Sequence, residues 1–349
     1  MQRPSCLAYE PAVYFIRFID KIYIMSQAML SEMRTAHTHL IKGLEVGRGT
    51  AVPSGNFDKI VLCGMGGSAL AGELIRDYVK GGIEFETCHD YFLPEGASSH
   101  DTLVIASSYS GNTEETISAL EDAYKNGFEI LVMAHGGKLH EMAKKLDLPY
   151  FEVPEAIQPR CAIGYGMGIL LGILEQMDVV VDQFAFLKQT EDFIAQEIEN
   201  IEQIAKKNAA LIKGTVPVVY GGPRRAALAR ITKIHFNENA KTQSFFAELP
   251  EMNHNEMVGY TNLAMKPTIL LIRSVLDFER VTLRMDTMKK VLGAKGIPFI
   301  DLELKGEDWL GETYYGLVLA YLMSYYLAFE YGVDPTPVDM VEEFKQLLV

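Results

Sequence analysis

Short apolar segments alternate with helical patterns along most of this chain, and this alternation restricts the folds that it can adopt. Residues 59–64 (KIVLCG), 102–108 (TLVIASS) and 129–134 (EILVMA) have the length and the apolar content of buried strands. Helices are predicted between them, at 68–82 and 112–127. Strands and helices that alternate in this way form a parallel sheet covered on both faces, so the sequence predicts an α/β fold.

Two further strands and the ends of one helix complete this first unit. Residues 83–91 (IEFETCHDY) and 149–153 (PYFEV) are predicted strands. In the second predicted helix, Asn112 is expected to be the N-cap with Glu115 at position N3, and Gly127 marks the C-terminal end.

A second unit later in the chain is similar to the first. After a mostly helical stretch at 164–213, residues 216–222 (VPVVYGG) open a strand, a glycine turn and an Ala/Leu-rich helix, as residues 59–75 do. Residues 268–280 (TILLIRSVLDFER) likewise correspond to 102–115, but without the hydroxyl side chains of the earlier turn. The sequence therefore predicts two similar three-layer α/β/α subdomains joined by helices.

The length of the chain agrees with two subdomains, because 349 residues exceed what one ordinary core accommodates. The predicted divisions are an N-terminal extension and helix at 1–36, a first subdomain at 37–185 and a second at 186–349.

Composition excludes some classes of partner. The net charge of −14 argues against nucleic acid, which requires a basic surface, so any anion site must be built locally from backbone N–H groups and hydroxyls. The spacing of the four cysteines is not typical of a metal site. Cys6, Cys63, Cys88 and Cys161 are therefore interpreted as free thiols in a reducing compartment, and the expected location is the cytoplasm.

Two segments require comment as possible targeting or membrane sequences. Charges interrupt every apolar run in residues 1–24, so this extension is not a signal peptide, and Met25 is an alternative start. Residues 313–329 (TYYGLVLAYLMSYYLAF) carry no charge, but the segment is rich in tyrosine and stands alone. It is predicted to be a buried helix of a core or dimer interface, not a membrane span.

Two turns at the carboxyl ends of predicted strands carry the candidate binding residues. The first, GMGGSALAG (64–72), fits a dinucleotide pattern through Gly64, Gly66 and Ala69, with Glu86 or Asp90 as the ribose ligand. It also fits a phosphate site at a helix N-terminus, or a tight turn that uses glycine for steric reasons alone.

The second turn, SSYSGNTEE (107–115), decides between these alternatives. Four hydroxyl side chains cluster in it, whereas a dinucleotide site needs only the first turn. A phosphate monoester held by both turns explains both, through Gly66, Gly67, Ser68, Ser108, Ser110 and Thr113. Ser107 is expected to point into the sheet. In the second unit Arg224 stands near the position of Ser68, so only the first unit keeps the phosphate site.

GMGGSALAG and SSYSGNTEE closely resemble the sugar isomerase (SIS) domain, which binds phosphosugars. Three more segments resemble the bifunctional phosphoglucose/phosphomannose isomerase branch of this family. They are IQPRCAIGYGMG (157–168), KIHFNENAKTQSFFAELPEMNHNEMVGY (233–260) and YGVDPTPVDMVEEFK (331–345). The resemblance therefore runs from about residue 37 to the end. It implies two SIS-type, flavodoxin-like subdomains, a homodimer with a shared active site, and no metal or cofactor.

The resemblance also assigns catalytic residues for exchange between an aldose and a ketose phosphate. Glu238 matches the base that moves a proton between C2 and C1 through a cis-enediolate, and Arg160 matches its cationic partner. His254 matches the residue that opens the sugar ring, donated by the other subunit. Thr336 and Lys345 are candidates for contacts to the sugar, and a small hydroxyl residue at this place is associated with acceptance of mannose 6-phosphate as well as glucose 6-phosphate.

Taken alone, the same residues have structural interpretations. Glu238 is equally compatible with a solvated helix carboxylate, His254 with a turn residue, and Arg160 with a surface residue between domains. His235 matches no motif and is interpreted as structural. Glu251 and Glu256 are acidic neighbours of His254. Two other functions stay open, a non-catalytic phosphosugar-binding protein and an NAD-dependent oxidoreductase.

Overall fold

The computed structural model describes residues 26–348, so the predicted N-terminal extension lies outside the described residues. Residues 26–35 form helix α1, and α2 (His39–Gly49) follows a short 3₁₀ turn. A sheet of five parallel strands, sheet A, comes next. Its strands are β1 (Lys59–Gly64), β2 (Glu84–Cys88), β3 (Thr102–Ser107), β4 (Glu129–Ala134) and β5 (Tyr150–Glu152). The helices of this half are α3 (Gly67–Tyr78), α4 (Glu114–Lys125), α5 (Gly137–Leu146) and α6 (Ile163–Gln176).

A second parallel sheet, sheet B, forms from the later part of the chain. Its strands are β6 (Val216–Gly221), β7 (Phe245–Glu248), β8 (Pro267–Arg273) and β9 (Phe299–Glu303). The helices are α7 (Phe184–Ile212), α8 (Ala226–Glu238), α9 (Glu256–Gly259), α10 (Glu279–Gly293), α11 (Trp309–Tyr331) and α12 (Asp339–Leu347).

The two sheets share one strand order, which confirms the predicted similarity of the two units. Sheet A runs β2-β1-β3-β4-β5, and sheet B runs β7-β6-β8-β9, the same order without a fifth strand. The order reverses between β1 and β3 in the first sheet and between β6 and β8 in the second. Parallel sheets bind ligands at such reversal points, outside the carboxyl ends of the strands.

Residues alternate between the two faces of each sheet, which places helices on both sides. In β1, Ile60 and Leu62 join the large core that also contains α6 and α11, whereas Val61 and Cys63 pack on the face that α4 and α5 cover. Sheet B has one face in the same large core and its other face under α10. One continuous core therefore joins the two halves, and each sheet is the middle of three layers.

The sequence predicted most elements correctly, with an error at one helix start and with bounds that were too long for β2 and α3. Strands β1 and β4 have the predicted bounds, and Gly127 adopts a positive φ just beyond α4. Asn112 is not the N-cap, because α4 begins after Thr113, and Glu115 is accordingly at N2 and not at N3. The Asn112 side chain instead donates to the Ser110 carbonyl and accepts the backbone N–H of Lys138, which ties the turn to the start of α5.

The uncharged segment 313–329 is a buried helix, as predicted. It belongs to α11, whose residues from Trp309 to Tyr325 are all buried. Among the described residues, no helix has the length and apolar content needed to span a bilayer.

Helices α2 and α6 pack backbone against backbone, a contact that the sequence analysis did not predict. Gly43 and Gly47 of α2 face Gly168 and Gly172 of α6. A Cβ at Gly43 would collide with the carbonyl oxygen of Tyr165 and lie 3.0 Å from the Cα of Gly168. Because the colliding atoms belong to main chain, no side chain can turn aside to make room.

We expect Gly43→Ala to destabilise the fold, since its methyl group would push the two helices apart. Overpacking of this kind lowers the free energy of unfolding by about 1–3 kcal/mol, to be measured by urea denaturation. Gly49→Ala on the same helix is the control, because nothing lies within 4 Å of a Cβ at that position. Equal losses in the two variants would contradict the packing argument.

Candidate active site

The two predicted turns lie side by side at the carboxyl edge of sheet A. Gly64, the last residue of β1, is paired in register with Ser107, the last residue of β3. The glycine turn leads into the N-terminus of α3 at Gly67, and Gly66 before it adopts a positive φ of 50°. The hydroxyl-rich turn leads into α4. Both turns therefore flank the reversal point of the strand order, where a ligand is expected.

Hydrogen bonds hold the hydroxyl groups of the two turns together. The Ser68 hydroxyl accepts the backbone N–H of Tyr109 at 2.8 Å, and the hydroxyls of Ser108 and Thr113 are 2.7 Å apart. Ser110 is exposed, and its hydroxyl accepts the backbone N–H of Asn112 at 3.2 Å. A hydroxyl has one donor and two acceptor sites, so these bonds orient the oxygens and leave capacity for an anion.

Ser107 differs from its neighbours. Its side chain is buried, and its hydroxyl donates to the carbonyl oxygen of Ser68 at 2.9 Å. Ser107 is therefore buried, but its hydroxyl meets the start of α3, so that this side chain connects the two turns.

The glycine turn also touches the segment that carries Arg160. A Cβ at Gly67 would lie 2.9 Å from the backbone nitrogen of Arg160 and from the carbonyl of Pro159. Only glycine allows this approach. The 3₁₀ turn Pro159–Cys161 is thereby fixed against the start of α3.

The guanidinium of Arg160 is the centre of the hydrogen-bond network. Its side chain is 2% exposed, and each of its five N–H donors has an acceptor. The acceptors are Asn239 Oδ1 (2.5 Å), Gln158 Oε1 (3.1 Å), Glu238 Oε2 (3.3 Å) and the carbonyl oxygens of Pro335 (2.9 Å) and Thr336 (2.8 Å). A buried cation is tolerated only when its donors are satisfied, and this one is.

Glu238 is the last residue of α8 and lies at the open side of this network. Its side chain is 31% exposed, so one face of the carboxylate can meet a ligand while the other faces Arg160. The next residue, Asn239, is fully buried and also donates to the hydroxyl of Ser324 on α11 at 2.9 Å. Asn239 therefore orients the arginine from a fixed position in the core.

The segment around Thr336 closes one side of the network. The Thr336 side chain is buried, and its hydroxyl points toward the sulfur of Met29 at 4.0 Å, so its carbonyl and not its hydroxyl contacts Arg160. Lys345 lies apart from the network on the exposed face of α12, where it pairs with Glu342 at 2.9 Å.

Lys241, which the sequence analysis did not single out, lies beside the hydrogen-bond network of Arg160, between the end of α8 and the tail segment. Its ammonium donates to the carbonyl oxygens of Glu238, Pro335 and Pro337, and so joins the end of α8 to the tail segment. Burial and the nearby Arg160 charge lower the pKa of Lys241 to about 8. The signal for Lys241 and for Asn239 was present in the motif NENAK, where both lie within three residues of Glu238.

The two histidines of this region have different surroundings. His235 is fully buried, its Nδ1 contacts the carbonyl of Ile231 at 2.9 Å, and burial lowers its pKa to about 4, which fits a structural residue. His254 is exposed at the end of the 3₁₀ turn Glu251–His254. Among residues 26–348, no hydrogen bond or ion pair joins His254 to Arg160 or Glu238. The acidic neighbours Glu251 and Glu256 bond to Asn255 and Tyr220.

Comparison with known proteins identifies the family to which this chain is similar. Residues 201–348 match the model for the bacterial phospho-glucose isomerase C-terminal SIS domain. A hypothetical protein of Thermus thermophilus, of solved structure, superposes with a TM-score of 0.72 at 17% identity, covering 97% of this chain and 96% of that one, which concerns the fold alone.

Two curated relatives cover most of both sequences. The bifunctional phosphoglucose/phosphomannose isomerase of Caldicellulosiruptor bescii is 33% identical over 322 residues, 88% of this chain and 95% of that protein. The enzyme of the same name from Aquifex aeolicus is 37% identical over 297 residues, 84% of this chain and 91% of that protein. The chain therefore belongs to the bifunctional phosphoglucose/phosphomannose isomerase family.

Proposed function

We propose that the protein interconverts glucose 6-phosphate, and mannose 6-phosphate, with fructose 6-phosphate by proton transfer through a cis-enediolate. The observation that carries this proposal is the contact between Glu238 and Arg160, whose backbone packs against the glycine turn, in a chain that is 37% identical to a named isomerase of this kind. A base, a fixed cation and an anion-binding edge are the groups that the reaction requires.

In this proposal Glu238 moves the proton between C2 and C1. A carbon acid next to a carbonyl is weak, so the base must be held in place and the developing oxyanion must be stabilised. Arg160 supplies the positive charge, and because a guanidinium does not deprotonate in proteins, it cannot compete for the proton. Five acceptors fix its position before substrate arrives, so little reorganisation accompanies the reaction.

The phosphate of the substrate is assigned to Gly66, Gly67, Ser68, Ser108, Ser110 and Thr113. The N-terminus of α3 is better suited to receive it than that of α4. The first turn of α3 contains no acidic residue, whereas α4 begins with Glu114 and Glu115, which would repel a dianion. The phosphate therefore sits over Gly67 and Ser68, with the hydroxyls of the second turn at its side.

His254 is assigned to ring opening in the site of a second subunit. Leu249 donates its N–H to Gly221, so the segment that leads to His254 starts at the carboxyl end of β6, where α8 also begins. Glu238 is at the far end of this 13-residue helix, and the two ends of the helix are about 18 Å apart at 1.5 Å per residue. The segment with His254 therefore begins at the opposite end of α8 from Glu238, and no hydrogen bond or ion pair among the described residues joins the two side chains, which supports donation across a dimer.

Helix α12 supports the same homodimer. None of its residues is buried, and its apolar side chains recur at helical spacing along one face. Met340, Phe344 and Leu347 are 84%, 61% and 79% exposed. A second copy of the chain would remove this stripe from water.

The remaining assignments follow from the sequence and the fold. Residues 37–185 form the phosphate-binding subdomain and 186–349 the subdomain with Glu238 and His254, without metal, cofactor or nucleic acid. Buried thiols at Cys63, Cys88 and Cys161 support a cytoplasmic location.

The dinucleotide alternative is weakened, since Glu86 pairs with Lys59 at 2.7 Å and Asp90 accepts the N–H of Tyr91. Thermal shifts with fructose 6-phosphate and with NAD would separate the two functions.

Ser110→Ala is expected to raise KM for fructose 6-phosphate about tenfold or more, because it removes one hydrogen bond to a dianion. The measurement is steady-state kinetics with a coupled assay. Ser98→Ala is the matched control, since Ser98 also accepts a backbone N–H two residues ahead and lies in another exposed loop. An unchanged KM in Ser110→Ala would exclude this residue from the phosphate site.

Glu238→Gln is expected to lower kcat by roughly 10²–10⁴ while the substrate still binds, since the amide keeps the shape and loses the basicity. Incorporation of solvent deuterium at C2 reports the proton transfer directly. Glu121→Gln, at an exposed position of α4, is the control. Deuterium incorporation at the wild-type rate in Glu238→Gln would assign the base to another residue.

Mixed dimers test the donation of His254. When inactive Glu238→Gln and His254→Ala chains are refolded together, each hybrid dimer has one site with both native residues, so up to about half of its sites regain activity. His254→Ala alone is expected to lose more rate on the cyclic sugar than on an open-chain substrate. Hybrids no more active than the separate variants would place His254 outside the partner's site.

A further inference from the structure

A cavity of about 560 Å³ opens at the carboxyl edge of sheet B, and none of the residues around Arg160 lines it. Its walls come from the turn between β6 and α8, from the loop between β8 and α10, from the first turns of α10, and from Pro250, which precedes the turn that carries His254. The lining includes Arg224, Arg280 and Arg284, with Asp277, Leu276 and Phe278.

The cavity occupies the position in sheet B that the phosphate turns occupy in sheet A. In sheet A the turns after β1 and β3 meet at the reversal of strand order, and in sheet B the turns after β6 and β8 do so. Counted from the strand ends, Arg225 stands where Ser68 stands in the first half, so the earlier assignment of Arg224 to that position is one residue off. Ligands of open parallel sheets bind at this place.

Charge at the cavity is positive in a chain that is otherwise strongly acidic. Three guanidiniums line it against the single carboxylate of Asp277, although the chain as a whole carries −14. Among the described residues, Arg224, Arg280 and Arg284 form no ion pair with a carboxylate. Arg284 is 3.5 Å from the side-chain oxygen of Asn253, and Arg224 lies 5.8 Å from the ring centre of Trp309.

Two neighbouring charges, those of Arg225 and Glu312, are already paired with one another. Arg225 is buried beneath the cavity, where it bonds to Glu312 and to the hydroxyls of Ser274 and Thr313. The carboxylate of Asp277 lies against Gly222, where a Cβ would be 3.2 Å from its Oδ1, and among the described residues it forms no ion pair. A ligand would therefore meet the three lining arginines and this one carboxylate.

The apolar part of the lining indicates that an anion bound here would have an apolar group attached to it. Leu276 is 48% and Phe278 is 68% exposed at the rim, beside the arginines. The volume is far larger than one phosphate ion needs and lies in the range of small-molecule sites, about 300–1,000 Å³. Guanidiniums suit phosphate because they bind its oxygens in pairs.

We propose that this cavity is a second ligand site, which binds a phosphate monoester with an apolar or planar body. The first site holds phosphate with neutral hydroxyls and backbone N–H groups, and the second would hold it with fixed positive charge. Binding at the second site is accordingly expected to weaken as salt is added.

Phenyl phosphate is a suitable probe, since it joins a phosphate dianion to a planar ring and carries no sugar. Isothermal titration of the full-length protein should detect a binding event that Arg280→Ala weakens roughly tenfold or more, and Arg224→Ala likewise. Ser110→Ala should leave this event unchanged. Lys290→Ala removes one charge from an exposed position of the same helix, away from the cavity, and should also leave it unchanged.

Both arginines are exposed, so their replacement should leave the fold intact, which thermal denaturation of each variant would check. The proposal is overturned if no binding is detected up to millimolar phenyl phosphate. It is also overturned if every binding event survives Arg280→Ala and Arg224→Ala, or if Lys290→Ala weakens binding equally. The isomerase proposal is tested separately, by the kinetics of Ser110→Ala and Glu238→Gln with fructose 6-phosphate, so that failure of the second site and failure of the isomerase proposal are distinguished.

Discussion

The buried guanidinium of Arg160 sets the arrangement around it. A charge withdrawn from water is stable only when every donor finds an acceptor, and its acceptors come from the loop before it, from the end of α8 and from the tail. Gly67 then packs against the same turn from the side of sheet A. The relative positions of the glycine turn, Glu238 and residues 335–336 thus follow from satisfying one cation.

The two halves of the molecule use their equivalent edges differently. Both sheets reverse strand order at the same point, but the first half places small hydroxyls there and the second places arginines. Arg225 is paired internally with Glu312, so part of the second edge is closed by the protein's own carboxylate. The two halves therefore share the strand order at this edge and differ in the side chains, and hence in the chemistry, that the edge offers.

Local patterns predicted the elements better than they predicted the contacts between them. Apolar runs located β1 and β4 correctly, because burial on both faces requires such runs. Asn112 is not the cap of α4, because its side chain accepts the backbone N–H of Lys138 in the first turn of α5. The bond from Arg160 to Glu238 spans 78 residues, and no periodicity encodes it, so only the family resemblance brought these residues together. Asn239 and Lys241 lie in the same motif as Glu238, but their contacts with Arg160 and with the tail segment are equally distant in sequence.

The backbone contact between α2 and α6 affects more than stability. Side chains at a helix interface can change rotamer and so absorb a small displacement, but the glycines of this contact leave no such freedom. Helix α6 starts two residues after the turn that holds Arg160. The contact between the two helices is therefore rigid, and it restricts movement of the backbone that carries Arg160. This restriction comes from main-chain contacts and not from side-chain packing.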